Sequence, residues 1–217
     1  PVMNMHYVFV TSMSKDKATD PIVLWQTEDP DAPASLVMFY INEGFTQEIG
    51  PCLMQPGATT FDTTLNPYAW NNDAHVLFLE NPPGVGFSQN EDKSFEYNEN
   101  NTAANAYLAL IQWFNRFPEL KGRDFWITGE SYCGMYIPYL ANEILSNNAQ
   151  AKPEDKINLK GIMIGNGVML TNLHWRRQAR DTFYGKHQFY GPEITTLMKS
   201  CTYNDSDNTK PTCLQAQ

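Results

Sequence analysis

Ser131 lies in FWITGESYCGMYIPYL, residues 125–140, where a β-branched and aromatic run passes through Gly-Glu-Ser-Tyr-Cys-Gly into an apolar helical pattern. A strand, a tight turn and a helix around G-x-S-x-small-G is the arrangement in which a strained turn lifts a serine hydroxyl above a sheet edge, where it can attack a carbonyl. Gly129, Cys133 and Gly134 are the small residues that let such a turn close. The backbone N–H of Tyr132, at the start of the helix, then points where an oxyanion forms. The plainer reading of the same residues is a serine N-cap on an ordinary βα turn. Agreement of strand, turn and helix favours the nucleophile.

Such a serine has to be carried by a sheet, and the chain reads as a mostly parallel one flanked by helices. Short apolar runs at Tyr7–Val10, Ile22–Trp25, Val76–Leu79, Phe125–Thr128 and Leu159–Ile164 are candidate strands, separated by longer segments of helical period. One helix is predicted with Thr102 as its cap and Tyr107, Leu110, Ile111 and Phe114 as its buried stripe. A second carries Ile137, Leu140, Ala141 and Ile144, with Pro138 expected to kink it or confine it near its first turns. After Gly165-Asn166-Gly167 the character changes. Residues 1–170 read as an α/β core and 171–217 as the start of a helical insertion, with a short helix after Gly191-Pro192 carrying Ile194, Leu197 and Met198. The start, Pro1-Val2-Met3 running straight into HYVFV, is abrupt, and further residues ahead of it are expected.

Composition narrows the function. The 217 residues carry a formal charge of −9 with a sequence pI near 4.8, and no basic run exceeds Arg176-Arg177, so a phosphate-neutralising stripe for nucleic acid is absent. No window approaches the ~18 apolar residues of a spanning helix. No His, Cys, Asp or Glu cluster has metal-ligand spacing, and Gly84-Val85-Gly86 lacks the further glycine and lysine of a phosphate loop. Cys201 and Cys213 bracket a polar, turn-rich loop that a disulfide could close in an oxidising compartment. Asn100 and Asn204 head N-x-[ST] sequons. Cys133 reads as a packing residue, and Cys52 has no evident partner.

Several blocks, in order, resemble the serine carboxypeptidases, the group that includes carboxypeptidase Y and cathepsin A. They are DPIVLW, EIGPC, NPYAWNNDAHVLFLENPPGVGFS, GESYCGMYIP and INLKGIMIGNG. The resemblance implies an α/β-hydrolase fold, a peptide substrate shortened from its C-terminus through an acyl-enzyme, no cofactor, and a lysosomal, vacuolar or secreted location. By position, Ser131 is the nucleophile and Tyr132 supplies one oxyanion N–H. Glu130 and Glu48 correspond to a carboxylic acid pair that grips the substrate's terminal carboxylate. Two carboxyls held close share a proton, which lets them hydrogen-bond an anion at acidic pH.

Two departures stand against the matches. Where the family has Asn-Gly-Gly-Pro-Gly-Cys-Ser after its VLW strand, this chain has QTEDPDAPASL. A gap-free alignment sets Thr27 at the carboxylate-binding asparagine, Asp29 at the second oxyanion N–H, and Glu28 and Asp31 at neighbouring glycines. Acids there oppose developing negative charge, and Cβ atoms obstruct close approach. Secondly, the triad order of this fold is Ser, Asp, His, and the family carries both partners beyond its cap. His6, His75, His174, His187, Asp124 and Asp181 are poor matches, so Asp and His are expected from a complementary C-terminal segment or second chain. Three readings remain open: a carboxypeptidase, an inert relative kept as a binding or structural subunit, and an acyltransferase or lyase.

Overall fold

A computed structural model describes residues 2–26, 44–54, 63–169 and 182–198. The chain divides into two compact units, Pro1–Met169 and Leu170–Gln217. In the first, strands β1 (Met3–Asn4), β2 (Tyr7–Val10), β3 (Ile22–Gln26), β4 (Cys52–Met54), β5 (Thr63–Leu65), β6 (His75–Leu79), β7 (Gln89–Asn90), β8 (Phe125–Glu130) and β9 (Leu159–Gly165) accompany helices α1 (Glu99–Arg116) and α2 (Cys133–Asn148). The central sheet runs β2-β6-β3-β8-β9. β2 is antiparallel to β6; β6, β3, β8 and β9 are mutually parallel. The five expected strands all form, each within two residues of its expected end. The small pairs β1–β7 and β4–β5, two or three residues per strand, are too short to show as a periodic pattern.

Alternation along each strand sorts the side chains between two faces. Ile22, Leu24, Leu77, Leu79, Phe125 and Ile127 form one core with Ala103, Ala106, Leu110 and Phe114 of α1 and Ile137, Leu140 and Ile144 of α2. Val76, Phe78 and Trp25 face the other way, where Ile49, Phe45 and Trp70 pack. The expected stripe of α1 is rotated: Leu110 and Phe114 are buried, but Tyr107 and Ile111 are half-buried, and Ala103, Ala106 and Trp113 take the inner line. Two alanines let the helix approach the sheet.

Thr102 does not cap α1. Asn98 does, accepting from Asn101 N at 3.0 Å while Asn101 Oδ1 accepts from Asn98 N at 2.9 Å. This reciprocal pair satisfies two N–H groups the helix leaves open, so the helix starts earlier and Thr102 is buried inside it. α2 continues through the exposed Pro138. Among the described residues no helix is long and apolar enough to cross a membrane. In the second unit, helix α3 (Pro192–Met198) follows Gly191, and the rings of Phe183, Tyr184 and Phe189 pack on one another.

Candidate active site

Ser131 stands between the end of β8 and the start of α2, with φ of 55°. That left-handed conformation costs an L-residue about 1–2 kcal/mol, so its surroundings must impose it. They do so from both sides. Ser131 N donates to Gly165 O at 2.9 Å, and Ser131 O accepts from Val168 N at 2.7 Å and Gly134 N at 3.0 Å. The segment following β9, where Asn166 also has a positive φ of 46°, therefore clasps the turn. Ser131 itself is half-buried rather than sealed in the core.

The small residues around the serine are required by contact. A Cβ on Gly134 would lie 2.6 Å from Val168 O, and one on Gly129 would lie 2.9 Å from both Gln26 O and Cys133 Cβ. Cys133 is fully buried, and its thiol donates to Gln26 O at 3.2 Å. It is thus a packing residue that ties the turn to β3. Tyr132 begins the first turn of α2 with φ −65° and ψ −18°. Its hydroxyl lies 3.4 Å from Glu99 Oε1, and its ring meets that of Tyr136 edge-on at 5.1 Å.

Glu130 ends β8 and is exposed. Alternation from Ile127 directs it to the face of Trp25 and Phe78. On that face sits the π-helical turn Gly44–Glu48, with Phe45 edge-on to Phe78 at 5.2 Å, and Glu48 exposed at its end. The fold thus puts both acids on one side of the sheet. The backbone around Glu48 is fixed by Asn66, a buried residue whose Nδ2 donates to Glu48 O at 2.8 Å and Gly50 O at 2.9 Å. Asn66 heads NPYAWN, and sequence reasoning missed this role; an asparagine before proline amid apolar residues was the available signal.

The sheet also disposes of several candidate bases. His75 starts β6 and Asp124 precedes β8, so both lie at the edge opposite Ser131. Asp124 is engaged by Asn158 at 2.9 Å and Lys160 at 3.4 Å. His6 is on the catalytic edge, but it adjoins β2, three strands from β8. At ~4.8 Å per strand that is about 14 Å, beyond hydrogen-bond reach. The His187 ring lies tilted against that of Phe183, centroids 4.4 Å apart, in the second unit. Thr27, Glu28, Asp29, Asp31, His174, Asp181, Cys201, Asn204 and Cys213 lie outside the described residues. Asn100 is exposed in the first turn of α1. Among the described residues Cys52 and Cys133 are not joined in a disulfide.

Comparison with known proteins agrees with this geometry. Residues 2–217 match the serine carboxypeptidase family. Serine carboxypeptidase-like 40 of Arabidopsis thaliana is 44% identical over 197 residues, covering 89% of this chain and 36% of that protein. The lysosomal protective protein of Mus musculus is 36% identical over 216 residues, covering 97% and 42%. Serine carboxypeptidase ctsa-4.1 of Caenorhabditis elegans is 41% identical over 202 residues, covering 93% and 39%. The chain thus spans roughly two fifths of the length of these curated relatives. Kex1Δp, a prohormone-processing carboxypeptidase from Saccharomyces cerevisiae, superposes with a TM-score of 0.77 at 22% identity, covering all of this chain and 47% of its own. The fold is that of the α/β-hydrolases, and the chain belongs to the serine carboxypeptidase family.

Proposed function

We propose that this chain is the nucleophile-bearing part of a serine carboxypeptidase that removes residues from peptide C-termini. The observation that carries the reading is Ser131 at φ 55°, half-buried at the C-terminal edge of the sheet and clasped by Gly165 and Val168. Ser131 Oγ attacks the scissile carbonyl while an imidazole takes its proton. The tetrahedral oxyanion accepts from Tyr132 N–H and Asp29 N–H, the terminal amino acid leaves with the proton, and water releases the acyl group. Glu130 and Glu48, with Thr27, hold the terminal carboxylate. No cofactor enters this chemistry.

The Asp and His come from polypeptide outside this chain, a complementary segment or a second chain. β9 supports that placement: it is the sheet's edge beyond β8 among the described residues, and its Ile162 and Met163 are 41% and 46% exposed. A seven-residue strand with open backbone groups and exposed apolar side chains is a surface that soluble proteins cover. Residues from about 171 onward form the start of the cap, Cys201–Cys213 a disulfide, Asn100 and Asn204 glycosylation sites, and the protein works in a lysosome, a vacuole or outside the cell. The name of the mouse relative supports the lysosomal option.

A second reading rests on Glu28, Asp29 and Asp31, where acids replace glycines of the oxyanion loop: an impaired enzyme kept as a binding subunit. One experiment separates the two. The full-length native protein is treated with a fluorophosphonate, which phosphonylates an activated serine, and assayed with blocked dipeptides at acidic pH. Mass on Ser131 with amino-acid release supports the peptidase; labelling without release supports transfer to another acceptor. No labelling, with the second segment shown to be present, refutes the catalytic reading.

A further inference from the structure

The loop following β6, residues 80–88, leaves the same sheet edge as Ser131, two strands away, which is about 10 Å at ordinary strand spacing. Its anchor is Glu80, a carboxylate only 2% exposed. Glu80 Oε2 accepts from Phe87 N at 2.6 Å and Ser88 N at 3.1 Å, with His6 Nδ1 at 3.3 Å. Ser88 Oγ donates to Glu80 O at 2.8 Å and accepts from His6 N at 2.8 Å. At the other end the Tyr97 hydroxyl donates to Pro83 O and accepts from Asn90 Nδ2 at 2.7 Å. Gly86 has φ 55°, and a Cβ there would lie 2.7 Å from the Glu80 carboxyl, so the loop wraps the buried charge closely.

What this loop displays is apolar. Phe87 is 60% exposed, with the His6 ring at its flank, 5.2 Å away. A lone exposed aromatic needs no explanation. A buried carboxylate does, because it is costly unless its hydrogen bonds have a structural purpose. Here those bonds fix the backbone of Phe87 itself. The side of Ser131 on which Phe87 sits is also the informative one. The turn bearing Glu48 packs over β3 and β6 through Trp25 and Phe78, so of the two acids assigned to the terminal carboxylate Glu48 lies toward β6, while Glu130 ends β8 itself. A peptide whose scissile carbonyl is at Ser131 and whose terminus is held there places its last residue on that side. Phe87 flanks His6, the residue that adjoins β2, so by strand count it sits about 10–14 Å from β8, a gap shared by one residue of about 3.5 Å, its extended side chain and the exposed side chain of Phe87.

We infer that Phe87 is a specificity-determining residue, forming the apolar wall that receives the side chain of the substrate's last residue, with Glu80 as its positioning residue. The inference rests on the carboxypeptidase reading above. Its test uses the full-length enzyme and blocked dipeptides differing only in the last residue, Phe or Gly, with rates normalised to fluorophosphonate-titrated Ser131. Phe87→Ala is expected to lower the Phe-over-Gly ratio of kcat/KM by about tenfold, and Phe87→Tyr to retain most of it. Glu80→Gln lowers the same ratio through its loosened loop, a change that general destabilisation, removed by the normalisation, does not produce. Titratable Ser131 with an unchanged ratio in Phe87→Ala overturns this inference alone. A parent enzyme that cannot be titrated refutes the peptidase reading, and this inference with it.

Discussion

Replacing Ser131 by glycine and by alanine separates its chemistry from its conformation. Both variants lose the hydroxyl, so both lose fluorophosphonate labelling. They differ in whether a Cβ remains at φ 55°. Alanine retains the left-handed strain of about 1–2 kcal/mol; glycine removes it but gives the unfolded chain extra freedom, worth about 0.4–1 kcal/mol. The difference leaves Ser131→Gly more stable than Ser131→Ala by about 0.5–1 kcal/mol, a two- to fivefold change in the folding equilibrium at ~1.4 kcal/mol per decade. The sign is opposite to that in ordinary strand or helix, where glycine is the worse residue by a similar amount. Equilibrium urea denaturation of the two full-length variants measures it. If Ser131→Gly is no more stable than Ser131→Ala, the serine does not occupy the strained turn, and the nucleophile assignment fails with it.

The neighbouring residues yield further tests. Gly134→Ala puts a methyl 2.6 Å from Val168 O, and the displaced Val168 can no longer hold Ser131 O; labelling is expected to slow by about 10²-fold for a misplacement near 1 Å, with stability lower by about 1–3 kcal/mol. A parent-like labelling rate contradicts the clasp. Replacing Glu28, Asp29 and Asp31 together by glycine is expected to accelerate labelling by about 10-fold or more if the acids impair the oxyanion site, and an unchanged rate shows that they do not.

The elbow was legible because three local signals coincide at one place: β-branched Ile127 and Thr128, small Gly129, Cys133 and Gly134, and the helical spacing of Ile137, Leu140 and Ile144. The central strands were legible for a related reason, since a strand buried on both faces reads as a near-continuous apolar run, as VLFL does in β6. Thr102 misled because a threonine before an apolar stripe looks like a cap, whereas the cap is a polar pair, Asn98 and Asn101, that carries no periodic signal. The clasp of Gly165 and Val168 on Ser131, Asn66 beneath Glu48, and Glu80 beneath Phe87 join residues 18 to 37 positions apart or form across a turn. Their type is visible in sequence, but their partner is chosen only when the sheet assembles.

Strand order decides which of these features bear directly on the serine. β8 lies between β3 and β9, so Gln26 at the end of β3 and Gly165 at the end of β9 flank the strand that leads into Ser131, each about 5 Å from it. The β9 side retains its family pattern and supplies two backbone hydrogen bonds to the turn. The sequence that follows β3 carries Glu28, Asp29 and Asp31. A unit charge one strand spacing from the serine, at an effective dielectric of ~20, would be worth about 3 kcal/mol, comparable to an entire oxyanion donor, and that is the effect the triple glycine variant reads. The hydrogen bonds that hold Ser131 in its left-handed conformation come from Gly165 and Val168, beside β9, and from Gly134. A preserved Ser131 turn is therefore not by itself a measure of turnover, and the triple glycine variant at residues 28, 29 and 31 reads the second contribution separately.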